Sequence, residues 1–397
     1  MALTFAVRRR EPVLVVPASP TPQETKRLSD IDSKESLRVL MPGVFVYRGG
    51  DDPVDVIGPA LTEALVHYYP LAGRFREVED GKLVVDCTGK DVLFAEADAD
   101  VRLAELERRQ PVVTRLLCGG FVFGMHINHA MCDAAGVHLF MSAVADLARG
   151  LPAPAVAPSW SRNLLLDATH TKHDIAPPLP LPAHDTVMRS FVFRLADIAS
   201  LKQRLPGAPA ATTFEVLAAL LWRARTVALA LPPDEITRLG IIASFRRNAA
   251  LRLPMDTTAT RACHSERRRP PANDMGGSSV GDVVEMIQKA KATAAHVRSA
   301  ADMLELHGPP PFDSPNMFLL SSPTSGMSGS TAWTSGRASR CMAGRLGCIS
   351  RGRSSWPSRT VTGRTPWPAV PITLPRTAMG RFAAEIETSL KDKQMHI

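Results

Sequence analysis

The sequence reads as an α/β protein with mixed layers in each of two halves. Short runs rich in β-branched and aromatic residues alternate with segments of helical apolar spacing along the whole chain. At 397 residues it is long enough for two domains of ordinary size. A Pro- and Ala-rich stretch without sustained periodicity, 151–188, divides the alternation. The expected organisation is an N-terminal domain over 1–160, a crossover linker over 161–188 and a C-terminal domain over 189–397.

In the first half, Glu11–Pro17 reads as a short strand, and Pro20-Thr21-Pro22 leads into a turn before Leu28-Ser29-Asp30. Val44–Tyr47 is strand-like. Asp55–Tyr69 carries Val56, Ile57, Ala60, Leu61, Ala64, Leu65 and Tyr68 at helical spacing, closed by Pro70 and Gly73. Lys82–Cys87 and Val92–Phe94 read as strands, and Val101–Arg109 as a short helix. A long buried strand is predicted from about Val113 to His129. From Ala134 the pattern turns helical, with Val137, Phe140, Met141, Val144 and Leu147 on one face and Gly150 and Pro152 as the stop.

In the second half, Ser190–Arg194 is a strand and Leu195–Leu205 a helix. Thr212 or Thr213 can cap the helix Phe214–Ala230. Ile241–Ala243, Met317–Leu320 and Val370–Leu374 are strands. Val283–His296, Val297–Leu306 and Ala378–Leu390 are helices. Trp222 and Phe214 fall at core spacing.

The net charge of +8 invites a nucleic-acid reading, but its distribution argues against one. Residues 323–369 hold seven arginines and no Asp, Glu or Lys; residues 255–273 hold four arginines against Asp256 and Glu266. The rest of the chain is therefore close to neutral. No apolar run approaches the eighteen or so residues a membrane span needs. The N-terminus, with Arg8-Arg9-Arg10, is a poor signal peptide. The six cysteines show no repeated spacing and read as reduced thiols of a cytosolic protein.

The stretch that carries chemistry is Met125–Gly136. A buried strand gives way to a helix, and His129 stands at the change, where a rigid backbone can present a side chain to a cavity. His126, His129, Cys132 and Asp133 invite a metal reading. Their spacing matches no helical i, i+4 histidine pair, and no second Cys/His cluster complements them, so no metal is expected. Cys132 reads as a small buried hydrophobe. Lys202, Arg204, Arg223 and Arg225 are cations that a phosphate-bearing ligand could use, with a solvated face as the default reading.

His129-x-x-x-Asp133 followed by Gly136, Tyr69-Pro70-Leu71-Ala72-Gly73-Arg74, and Thr213-Phe214-Glu215-Val216 leading to Leu221-Trp222-Arg223 together resemble the plant acyl-CoA-dependent acyltransferases of the BAHD family. The opening, from Glu11-Pro12 to Leu28-Ser29-Asp30, looks most like its benzyl alcohol O-benzoyltransferase branch. The resemblance implies two similar chloramphenicol-acetyltransferase-like α/β domains with a channel between them. It implies His129 as general base, taking a proton from an alcohol or amine acceptor as that group attacks the thioester of an acyl-CoA co-substrate. It implies direct transfer without an acyl-enzyme, no bound cofactor, and a cytoplasmic monomer. By the same resemblance, Asp133 is structural, pairing with an arginine to keep the turn in shape. Gly136 lets the helix start pack tightly or leaves room for a ligand.

The family's Asp-Phe-Gly-Trp-Gly near the C-terminus is missing. Trp333-Thr334-Ser335-Gly336, back-translated and read from the third nucleotide, can give Asp-Phe-Gly. Cys341–Gly344 at the same offset can give Val-Tyr-Gly-Gly, and Met255–Thr260 can give Gly-His-Tyr-Gly-Asn-Ala. Residues 255–273 and 323–369 therefore read as translated out of frame, leaving the second domain disrupted. The segment Glu105–Val113 is shorter than in the family. Two rival readings follow: an acyltransferase-derived product that cannot complete its C-terminal domain, and a basic nucleic-acid binder resting on the two arginine-rich stretches alone.

Overall fold

The structure is a computed structural model. It describes residues 6–33, 37–50, 52–102, 113–162, 185–205, 211–244, 256, 262–265, 271–294, 317–321, 342–343, 347–349 and 369–391. The helix candidate Val297–Leu306, most of Val101–Arg109 and the run Arg351–Ser355 lie outside these residues. The chain divides into two compact units. The first takes in Met1–Ala168, Arg246–Arg261 and Cys341–Arg364; the second takes in Thr169–Phe245, Ala262–Arg340 and Thr365–Ile397.

The first unit opens with β1 (Val7–Arg9), β2 (Val13–Val15), β3 (Glu24–Arg27) and β4 (Leu40–Gly50). Helix α1 (Pro53–His67) starts where Asp52 accepts the amide of Val54 at 3.0 Å, with proline at the first helical position and Asp55 in the first turn. Its face of Val56, Ile57, Ala60, Leu61, Ala64 and Leu65 is buried, as the spacing predicts. The turn Tyr69–Ala72 leads to β5 (Arg74–Glu77), β6 (Leu83–Cys87), β7 (Val92–Phe94) and β8 (Glu96–Ala99). Gly73 is required by close approach: a β-carbon there would lie 2.5 Å from Val85 Cγ1 and 3.0 Å from the Asp86 carbonyl oxygen.

The single long strand expected over 113–129 is instead a hairpin of β9 (Val113–Leu116) and β10 (Phe121–Asn128). Gly119, at φ +77°, makes the turn, and the amides of Gly119 and Leu116 close it on the carbonyls of Leu116 and Gly120. The Gly119-Gly120 pair is the turn signal that the apolar run around it obscured. Helix α2 (Ala134–Ala148) follows and packs on α1, with Tyr68 edge-on to Phe140 at 5.3 Å.

The main sheet of this unit has the order β1-β8-β9-β10-β4, and the whole of β10 pairs antiparallel with β4, from Phe121↔Tyr47 to Asn128↔Leu40. The far edge of β4 is covered by two short parallel strands from the distant C-terminal part of the chain, Met342–Ala343 and Gly347–Ile349. The aperiodic stretch 323–369 therefore supplies strand. Strand pairing needs only backbone groups, so it left no alternating pattern to read. β3, β6 and β5 form one small sheet, and β2 and β7 another.

The second unit contains β11 (Thr186–Val192), α3 (Leu195–Arg204), α4 (Thr213–Leu229), β12 (Arg238–Ser244), β13 (Ala262–Ser265), α5 (Ala272–Gly277), α6 (Val280–Ala294), β14 (Met317–Ser321), then β17 (Ala369–Pro375) and α7 (Arg376–Lys391), the strands 342–343 and 347–349 being β15 and β16. β11 pairs antiparallel with β17, and β12 lies between β13 and β14. Helix α4 is central: α6 and α7 pack on it, and Trp222, 2% exposed, sits in the core with Val216, Leu220, Leu221, Ile372 and Phe382, while Phe214 packs at its margin. Thr212 caps α4 in a reciprocal box with Glu215, each side chain accepting the other's amide. Among the described residues, no helix is long and apolar enough to cross a membrane.

Candidate active site

The antiparallel ladder of β4 and β10 ends at Asn128, and the next residue is His129. Its amide donates to the Val39 carbonyl at 2.9 Å, which carries the strand geometry one residue further and fixes the histidine backbone. The chain then turns sharply. The Asn128 side chain accepts the amide of Ala130 at 3.0 Å, and the Asn128 carbonyl accepts that of Met131 at 2.9 Å. Ala130, Met131 and Cys132 are buried, whereas His129 is half-buried. His126, three residues earlier on β10, is exposed.

Asp133 is the N-cap of α2. Its backbone is extended, and its carboxylate accepts the amide of the buried Gly136 at 2.9 Å. The three residues of the motif thus have three local settings: a histidine at the end of a sheet, a carboxylate 6% exposed bound to a helix N-terminus, and a glycine whose amide meets that carboxylate.

Sequence reasoning missed what lies behind the turn. Arg162, wholly buried, donates to the Met131 carbonyl at 2.6 Å and reaches the Ala130 carbonyl at 3.5 Å. Its other guanidinium nitrogen lies 3.5 Å from Asp32, whose side chain is also fully buried. The Ser29 hydroxyl donates to Asp32 at 2.7 Å and accepts its amide at 3.1 Å. Trp160 stacks on the guanidinium at 4.0 Å and ties its indole N–H to the Arg27 carbonyl at 3.0 Å. Buried polar residues in a row, Ser29, Asp30, Asp32 and Ser33, were the signal available in the sequence. Arg162 lay hidden in the stretch read as linker.

Tyr68 also backs onto this region. Burial first, then the negative fields of Cys132, Asp146 and Asp256, push its phenol well above the ordinary range. Arg223 and Arg225 of the second unit do not lie on a solvated face. Arg223 is spent on the carbonyls of Ser278 and Gly276 and on Glu385, at 2.9, 3.2 and 3.2 Å, joining α4 to its neighbours. Arg225 is buried, which lowers its pKa to about 10. Cys87, Cys118 and Cys132 are reduced thiols, Cys87 and Cys132 buried and Cys118 exposed.

Comparison with solved structures gives the class. The chain is similar to vinorine synthase, with a TM-score of 0.68 and 17% identity, covering 97% of this chain and 98% of that one. It is also similar to Fusarium graminearum TRI101 complexed with coenzyme A and T-2 mycotoxin, with a TM-score of 0.60 and 12% identity over 91% and 97% of the two chains. The fold is that of the chloramphenicol-acetyltransferase-like α/β proteins.

The model of the "Transferase family" matches residues 5–113 and 110–388. A benzyl alcohol O-benzoyltransferase of Petunia hybrida is 36% identical over 98% of this chain and 95% of its own. The chain belongs to this transferase family, the BAHD acyltransferases, and is an acyl-CoA-dependent acyltransferase.

Proposed function

We propose that the protein transfers an acyl group, aromatic (benzoyl) or acetyl, from acyl-CoA to the hydroxyl of a small alcohol, with His129 as general base. An amine acceptor is attacked by the same route. The observation that carries the reading is the mounting of His129. Its backbone is fixed at the last rung of the β4–β10 ladder, its side chain is half-exposed, and the one nearby carboxylate of the motif is engaged in capping α2. A neutral imidazole, with an ordinary pKa of about 6.5, suits proton abstraction near neutrality. The acceptor oxygen bonds to the thioester carbonyl carbon as His129 takes its proton. The C–S bond then breaks, and the CoA thiolate leaves and recovers that proton. No nucleophilic side chain of the protein enters the sequence, so both substrates are bound together when transfer occurs.

The test is steady-state transfer by the full chain from benzoyl-CoA and acetyl-CoA to a panel of alcohols. His129→Ala lowers kcat by about 10²–10⁴, the usual worth of a general base. His126→Ala, on the exposed side of β10, stays within about twofold of wild type. Full activity in His129→Ala overturns the assignment.

A further inference from the structure

We propose that Arg162, Asp32 and Ser29 form a positioning clamp that sets the orientation of His129 from behind the turn. This rests on the reading of His129 as the base. The guanidinium meets the carbonyls of Ala130 and Met131, the two residues directly after the histidine, and pairs with Asp32 on its other side.

Such an arrangement is costly in ordinary terms. Arg162 and Asp32 are both 0% exposed at their side chains, and a fully buried ion pair is often no more stabilising than apolar packing of the same volume. A strand-to-helix turn can be closed by side-chain oxygens that accept backbone amides, as those of Asn128 and Asp133 already do at its two ends. What the buried pair adds is direction. A planar fork with fixed donors can hold two carbonyls and a carboxylate at once, which an ammonium on a flexible stem cannot. Each part of the fork is itself held: Asp32 by the Ser29 hydroxyl, and the guanidinium face by Trp160. The turn is therefore held against rocking about the end of β10, and with it the backbone from which the imidazole projects. Small misplacements of a reacting group are worth up to about a hundredfold in rate.

The experiment compares wild type, Arg162→Lys, His129→Ala and the double variant, all as the full chain, with benzoyl-CoA and benzyl alcohol as probes. Arg162→Lys keeps the charge and loses the fork. It is expected to lower kcat about 10- to 100-fold while both KM values move less than about threefold. In the His129→Ala background the same substitution is expected to change the residual rate by less than about twofold, because the group it positions is gone. A wild-type kcat in Arg162→Lys overturns the proposal, and so does an equal fold-loss in both backgrounds, which marks a purely structural role. Full activity in His129→Ala is a different outcome: it overturns the base assignment and the clamp with it. If Arg162→Lys is recovered unfolded, Ser29→Ala carries the same comparison, with an expected loss of about three- to tenfold, and an unchanged kcat in that variant overturns the clamp.

Discussion

Replacing Asp133 separates two roles that a carboxylate four residues after the proposed base His129 could play. Its oxygen accepts the Gly136 amide at 2.9 Å in a setting 6% exposed to solvent. Asp133→Ala removes the N-cap of α2, which typically costs about 0.5–2 kcal/mol, and leaves a buried N–H unpaired, a penalty of about 1–3 kcal/mol for the same group. Taken as one effect, about 2 kcal/mol is expected. For a unit of this size that is a fall in Tm of roughly 4–8 °C. Asp133→Asn keeps the capping oxygen and should melt about 1 kcal/mol above the alanine variant. Paired thermal melts and kinetics on both variants beside His129→Ala make the test. If Asp133 serves the shape of the turn, kcat follows the melting order, and Asp133→Asn loses less than about tenfold. An asparagine variant with an intact melt and a kcat down about 10⁴, the signature of a carboxylate that orients a catalytic imidazole in a triad, would refute the reasoning.

Two further outcomes are expected. Trp222→Ala removes the largest fully buried side chain of the second unit, and a loss of about 3–5 kcal/mol should appear as a lower midpoint in denaturant. Hydrogen bonds from Arg76 and then Thr25 hold the Asp86 carboxyl at about 2, below its ordinary 3.8. Its folded-state pKa is depressed, so its contribution is complete above about pH 4 and is lost as pH falls through 2. Acid melts of Asp86→Asn should lack that part of the decline, and an NMR titration placing Asp86 near 3.8 would contradict it.

The helices were the most legible part of the chain. The apolar stripes of α1, α2 and α4 fall where the spacing puts them, because a helix buries a face that its own sequence declares. The change of element at His129 was legible for the same reason. The strand before it was misjudged in length, since a glycine pair at a hairpin weighs little inside a long apolar run. β3, Glu24-Thr25-Lys26-Arg27, is polar throughout and exists because β6 accepts it as a partner; a sequence has no local sign of that. The Arg162–Asp32 pair joins residues far apart in sequence, and nothing near either one announces the other.

The strand beside the histidine has a history as well as a geometry. β4 is flanked on one edge by β10 and on the other by residues 342–343 and 347–349, all within the first unit. On a ribosome, β10 is complete about 220 residues before Ile349 emerges. At about 5–20 residues per second, that is an interval of roughly 10–40 s. During it, the outer edge of β4 presents unpaired amides and carbonyls, the usual template for pairing with a stranger. The nascent chain thus carries an open sheet through the synthesis of nearly the whole second unit, and its yield should depend on translation speed and on chaperones that cover that edge. A late-closing edge also makes residues 342–343 and 347–349, remote in sequence from the turn at His129, a determinant of whether the sheet behind that turn is completed.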